Sequence, residues 1–303
     1  MSKTIRIIIV LALFFCGWSS ISATIMSESL IKDLAQVIER QGNGRFECHA
    51  EHRTLVFDVY LMDNSYLPEF DKDKIVNNVK EEMAMICSIN FISVRYNIHY
   101  FDDAGNKHTN QVSLGMSDIL NLKGDTKEIF TTKNHPKAHG VNLTMSKPEG
   151  WNAREGNGPH IVKKFEAIHG DNYASYMIQI NEAPTFISKQ EAKEIFRGNE
   201  KYGVNLQKLQ QQLIAQQLNA QIKSCSEDVV GNYPACRVEY TCHVEQSGIT
   251  ANLYGVAWIV LYEDMVITLY GSANTNDAKE MSLFAKLFAL LTNNVHFYDQ
   301  YID

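Results

Sequence analysis

"GVAWIVLYEDMVITLYGSA", Gly255–Ala273, decides the fold. Two runs of aliphatic, aromatic and β-branched residues flank Glu263 and Asp264, so the stretch reads as paired strands with both carboxylates at a hairpin tip. "ITANLY" extends the first of these strands backwards to Ile249, and "CRVEYTCHVEQSG" (Cys236–Gly248) precedes it as another, which makes an antiparallel meander. "DAKEMSLFAKLFALLTNN" (Asp277–Asn294) then closes the chain as a helix, followed by the short tail "VHFYDQYID". A strand pair followed by an apolar helix places a sheet against a helical layer.

Working towards the N-terminus, "SKQEAKEIF" (Ser188–Phe196) predicts a helix capped by Ser188. "NLQKLQQQLIAQQLNAQIK" (Asn205–Lys223) predicts a second, with Leu206, Leu209, Leu213, Ile214 and Leu218 towards a core. Before them, "VNLTMS", "PHIVKKFEAI" and "YASYMIQINEA" read as three strands, broken by "KPEGWNAREGNG" and "HGDN". The hydrophilic stretch 123–138 reads as a linker between this half (139–303) and a smaller module, 24–122. In that module, Ser27–Gln41 predicts a helix with Ser27 or Ser29 as cap, and Thr54–Asp63 a strand. Phe70–Ser88 predicts a helix capped by Asp71, and two strands follow on either side of the turn "DDAGN". The expected fold class is α+β, with an α-β-α-β-β module ahead of the larger domain.

At the N-terminus, Lys3 and Arg6 precede an apolar run, Ile7–Phe15, and then Ser19, Ser20, Ser22 and Ala23. That is the layout of a secretory signal peptide cleaved after Ala23. The apolar run falls short of the roughly 20 residues that cross a bilayer, so no transmembrane span is expected in the mature chain. Phe15 before Cys16 argues against lipidation, because a lipoprotein signal ends in small residues. The expected address is the periplasm or the medium. Loss of Lys3 and Arg6 takes the formal charge from −7 to −9, with no basic run left to grip phosphates. Nucleic acid is therefore not an expected partner.

"SCSEDVVGNYPACRVEYTC" (Ser224–Cys242) places Cys225, Cys236 and Cys242 close together, and neither spacing is the short C-x-x-C pair of a zinc turn. In an oxidising compartment the default is a disulfide. Cys225 with Cys236 is the first choice, across a Gly/Asn/Pro turn, and Cys225 with Cys242 the alternative. Cys48 and Cys87 form the remaining local pair, whose long loop would contribute roughly 3–4 kcal/mol in a chain-entropy picture. Five mature cysteines leave one over, and Cys242 is the candidate unpaired thiol, buried and inert.

Other candidates carry less chemistry. His49 and His52 flank the Cys48 region, and His135 and His139 have a metal-like spacing that Pro136 and Gly140 turn into a loop. "REGNGPH" lacks the third glycine of a dinucleotide site and the lysine of a phosphate loop. Asp102–Asp103 and Glu263–Asp264 both fall at predicted turn tips, where carboxylates stay solvated and near their reference pKa. Trp151, in a Gly/Pro-rich turn, and Tyr254 are the candidate lip of a pocket. No catalytic residue, metal ligand or cofactor is expected.

The second half, from about His139 to Phe297, resembles the PsbP-like superfamily, an α/β/α sandwich that includes bacterial envelope proteins of the DcrB type. The resemblance rests on "GVNLTMSKPEGW", "PHIVKKF", the long central helical region, "GVAWIVLYEDMVITLYGSA" and the last helix running into "NNVHF". It implies a non-enzymatic accessory or binding protein whose partner is another envelope protein. A carrier of a small apolar ligand, lined by "LFAKLFALL", is the alternative, and a hydrolytic enzyme the remote one.

Overall fold

The computed structural model describes residues 25–122, 128–169, 172–197, 220–246 and 249–298. The signal-peptide region and Leu206, Leu209, Leu213, Ile214 and Leu218 lie outside them. The chain forms two compact units, Met1–Gly124 with His169–Asp171, and Asp125–Ile168 with Asn172–Asp303.

The first unit runs α1 (Glu28–Gly42), β1 (Glu47–Glu51), β2 (Thr54–Tyr60), a 3-10 turn (Asn64–Phe70), α2 (Lys72–Asn90), β3 (Ser93–Phe101), β4 (Lys107–Leu114) and α3 (Met116–Ile119). Its sheet is ordered β1-β2-β3-β4, with the central β2–β3 pair parallel and the outer pairs antiparallel. The expected α-β-α-β-β order lacks β1, because "ECHAE" alternates only Cys48 and Ala50 against polar residues and offers no apolar run. Ser27 caps α1 by accepting from the Leu30 N–H at 3.3 Å, and Asp71 caps α2 by accepting from that of Asp73 at 2.9 Å. Ile75, Val79, Met83 and Ile86 of α2 pack with Ile31 and Ile38 of α1 over Leu55, Phe57 and Val94 of the sheet.

The β3–β4 hairpin is held by one carboxylate. Asp102 accepts from the N–H groups of Ala104 at 3.0 Å and Asn106 at 2.8 Å, from the Asn106 side chain at 3.0 Å and from His108 Nε2 at 2.9 Å. The hydrogen bonds of His108 and Asn106 hold its pKa well below the usual carboxylate range, correcting the expectation of an unperturbed turn-tip pair. A depressed folded pKa gives a contribution present above the unfolded value and lost as pH falls through the folded one. Amide exchange over 102–107 should therefore stay slow at about pH 4 and accelerate only in stronger acid. Asp102→Ala should exchange fast already at neutral pH, and equal protection in the two proteins would remove this role.

The second unit contains β5 (Ile129–Thr131), a 3-10 turn (Pro136–Ala138), β6 (Leu143–Ser146), β7 (Asn152–Glu155), β8 (Ile161–His169), β9 (Asn172–Ile187), α4 (Lys189–Phe196), β10 (Gln221–Val230), β11 (Tyr233–Gln246), β12 (Ile249–Asn274), α5 (Ala278–Thr292) and β13 (Val295–Phe297). Six strands form a sheet ordered β10-β11-β12-β9-β8-β7, and a smaller sheet is ordered β13-β6-β5. Four expectations change. The predicted linker contributes β5, the turn-rich "KPEGWNAREGNG" contains β7, and the tail contains β13. The helix predicted to Lys223 has given way to strand by Gln221.

The largest change concerns the opening stretch. Ile249–Asn274 is one long strand, not two, and Glu263–Asp264 sits at a bulge inside it, with Glu263 at φ 56°. The first half of β12 pairs with β11 and the second half with β9. An extra residue in a strand exchanges the faces of everything beyond it. Before the bulge, Ala257, Ile259 and Leu261 pack under α4 with Phe196, whereas beyond it the even-numbered Tyr270 does. On the opposite face, Trp258 and Tyr254 precede the bulge and Gly271 follows it, where a Cβ would lie 2.1 Å from the ring of Phe288 on α5. The sheet thus carries α4 on one side and α5 on the other.

Candidate functional site

The site is a trench between α5 and the strands β10–β12. On the helix side Ala278, Ser282, Ala285 and Ala289 recur at helical spacing, so one face of α5 stays low. The larger apolar residues, Phe284, Leu287, Phe288 and Leu291, turn into the core instead. The resulting hollow holds about 600 Å³ and is floored by Asp228, Arg237, Glu239, Tyr254 and Trp258. A second hollow, about 530 Å³, continues it past His243, Asn252 and Thr275, and the two share Lys223 and Met281.

Strand register assembles the floor. Arg237 on β11 lies directly opposite Trp258 on β12, and its guanidinium sits 5.7 Å from the indole centroid. The Trp258 N–H donates to Asp228 at 2.8 Å, the Tyr254 hydroxyl donates to Glu239 at 3.0 Å, and Arg237 pairs with the other oxygen of Glu239 at 2.5 Å. Burial, then the charge of Glu239 and its hydrogen bond, push the Tyr254 hydroxyl pKa up, so it stays a donor. Both carboxylates are therefore engaged as acceptors within the floor. Arg237 retains a buried Nε without a partner. Lys223 lies at a register shift between Ile222 and Ser224, with its ammonium 3.4 Å from Met281 Sδ. Lys286 stands on the exposed side of α5, and among the described residues neither lysine pairs with a carboxylate.

Both candidate lip residues are buried, Tyr254 at 1% and Trp151 at 2% exposed; Tyr254 lies at the floor of this trench, and Trp151, just before β7, lines neither hollow. Trp258, Arg237 and Asp228 were not singled out from sequence. An indole and a guanidinium at opposed strand positions are the signal that would have found them, and it is legible only once the register is known.

The cysteines are placed as follows. Cys48 on β1 and Cys87 near the end of α2 belong to one buried core, and burial pushes each thiol up to about 12, with the charges of Glu39 and Asp58 adding to the effect on Cys48. Cys225 and Cys236 lie in the two strands on either side of the turn at Gly231 and Asn232, as expected. They are diagonal neighbours across the β10–β11 hairpin, facing Val238 and Glu227 respectively, with sulfurs 3.0 Å apart. Their hydrogen bond, then burial, pushes the Cys236 thiol up, and burial does the same to Cys242 farther along β11.

The histidines do not converge. His135 bonds Glu155 at 3.0 Å and His139 faces Glu182 at 3.4 Å. His49 lies on the face of β1 opposite to Cys48, and His52 turns towards Glu28 at 3.6 Å. On that outer face, Asp58 accepts from Asn97 at 2.9 Å and from His99 Nε2 at 3.2 Å, with His49 at 3.4 Å. The other nitrogen of His99 meets the Thr109 hydroxyl at 2.9 Å. Burial raises the Asp58 pKa, but these hydrogen bonds and the two histidines outweigh it and hold it low. Among the described residues, no group of three or more His, Cys, Asp or Glu is placed to hold a metal ion.

No family model matches the sequence. No curated protein matches it either. Solved structures that match include a protein from Bacteroides thetaiotaomicron, at 11% identity and a TM-score of 0.29, over 52% of this chain and 46% of that one. LpqN, involved in cell envelope biogenesis of Mycobacterium tuberculosis, matches at 10% identity and a TM-score of 0.34, over 61% of this chain and 97% of LpqN. The Ran-binding protein Mog1p of Saccharomyces cerevisiae matches at 10% identity and a TM-score of 0.35, over 57% and 97%. The chain spans just under half the length of the first of these.

Proposed function

We propose that the chain is an exported, non-enzymatic accessory protein of a bacterial cell envelope, whose second unit is a PsbP-like sandwich that holds another envelope protein in the trench under α5. The trench itself is the observation that carries this reading: a long hollow with an internally braced aromatic and guanidinium floor, the arrangement that anchors protein interfaces. The export address rests on the signal-like N-terminus, and no helix among the described residues is long and apolar enough to cross a membrane. The envelope role of LpqN agrees with that address without carrying it. The buried thiols support the non-enzymatic part, since their pKa values rise where a nucleophile's would fall. The apolar-carrier alternative loses most of its lining, because Phe284, Leu287, Phe288 and Leu291 of "LFAKLFALL" are packed in the core.

A photo-crosslinking residue at Ala285, in the protein expressed in its own host, tests the reading against the same residue at Gln190, exposed on α4 across the sheet. A defined adduct with one envelope protein from Ala285 and none from Gln190 is expected. Absence of an adduct at Ala285, or a bound small molecule in the native mass, would overturn it.

Export also sets the thiol state. Cys225 and Cys236 pass two electrons and two protons to the disulfide of an envelope thiol oxidoreductase and become joined. Peptide mapping without reduction should show Cys225 linked to Cys236 and Cys242 free to alkylate. Full alkylation of Cys225 in protein taken from the host would remove both the staple and the oxidising address.

A second reading draws on Asp58, His99 and Thr109, a carboxylate–imidazole–hydroxyl line able to activate a nucleophile. Thr109 is exposed on the edge strand β4, where water solvates the hydroxyl and weakens that activation. Ester hydrolysis lost in both His99→Ala and Thr109→Ala, with stability unchanged, would install this reading in place of the first.

A further inference from the structure

We propose that the trench takes an acidic, extended segment of the partner polypeptide; this rests on the reading of the trench as the partner site and names what enters it. Charge gives the first argument. The chain is acidic, at −7 overall, so an acidic partner is repelled by most of its surface. The trench has the opposite sign. Arg237 answers the charge of Glu239, and Lys223 and Lys286 at the rim, with no carboxylate of their own among the described residues, outweigh the remaining Asp228, so the lining keeps one net positive charge. Arg237, held over Trp258 and paired with Glu239, keeps the floor from adding a second net negative charge beneath those lysines.

Shape gives the second argument. The first hollow follows α5, whose 15 residues span roughly 22 Å at 1.5 Å each, and the second continues it from Lys223 and Met281 past the start of the helix. An extended chain advances about 3.3 Å per residue, so about seven residues fill that length. The low wall of Ala278, Ser282, Ala285 and Ala289 admits a backbone close to the helix, and the rim lysines then meet alternate side chains of a strand.

The crosslinker at Ala285 tests this too, in a Lys223→Glu/Lys286→Glu background and, as a control of equal charge change away from the trench, in Lys107→Glu/Lys193→Glu. Adduct yield should fall at least about tenfold in the first and hold in the second, and sequencing the adduct should place the crosslink in a segment rich in Asp and Glu. Unchanged yield on reversing the trench lysines, an equal fall in both backgrounds, or a crosslinked segment without carboxylates overturns the acidic occupant while the trench remains the partner site. An unmodified background that gives no adduct removes both.

Discussion

Trp258→Ala should destabilise the second unit by about 3–5 kcal/mol, the range for emptying a buried aromatic site. The indole is among the largest fully buried side chains, and it is tied to Asp228 and Arg237. Its removal opens a cavity, leaves Asp228 without the donor now 2.8 Å away, and takes the surface from under Arg237. Trp258→Phe separates these effects, because a phenyl ring fills most of the space but donates nothing to Asp228. It should cost about 1 kcal/mol, the net worth of one hydrogen bond, because Asp228 is exposed and water takes the place of the lost donor. Urea unfolding followed by circular dichroism reads both, and a loss below about 1 kcal/mol for the alanine variant would show that the floor is not braced as described.

Gly271→Val should be comparably damaging, at about 3 kcal/mol or more, above the usual cost of overpacking. A Cβ at this position would meet three atoms of the Phe288 ring at 2.1–2.4 Å, and neither the central strand β12 nor the core face of α5 has room to move. The conflict is with one ring, so coupling is the sharper readout. Phe288→Ala alone should cost about 3–5 kcal/mol, yet Gly271→Val/Phe288→Ala should be clearly more stable than the sum of the two losses predicts. Additive losses would mean that the valine harms the strand rather than the ring. Gly255 plays the same part on the other face, where a Cβ would lie 2.2 Å from Tyr240.

The four longer helices among the described residues were legible because each carries its own signals, whereas the four-residue α3 was not anticipated. Ser27, Asp71, Ser188 and Asp277 cap the helices they precede, and the apolar period of α2 and α5 marks the faces that are buried. Short strands were harder. β1, β5, β7 and β13 have three to five residues each and few apolar positions, and their pairing is decided by partners elsewhere in the chain. Asp102 shows the same limit for electrostatics: its turn was readable, but its low pKa depends on His108 arriving across the hairpin.

By itself the sequence determined the composition of the layers: amphipathic helices on either side of strands, with the Leu and Phe of α5 directed into a core. These follow from local periodicity and capping, which involve residues within a turn or two of each other. Only the tertiary structure decided that Glu263–Asp264 is a bulge and not a hairpin tip. A polar pair between apolar runs suits either, and the choice was made by β11 pairing with one half of β12 and β9 with the other. That pairing also decided the trench. Arg237 meets Trp258, and Asp228 meets its N–H, because strand register brings together residues far apart in the chain, and register is set by the pairing of whole strands.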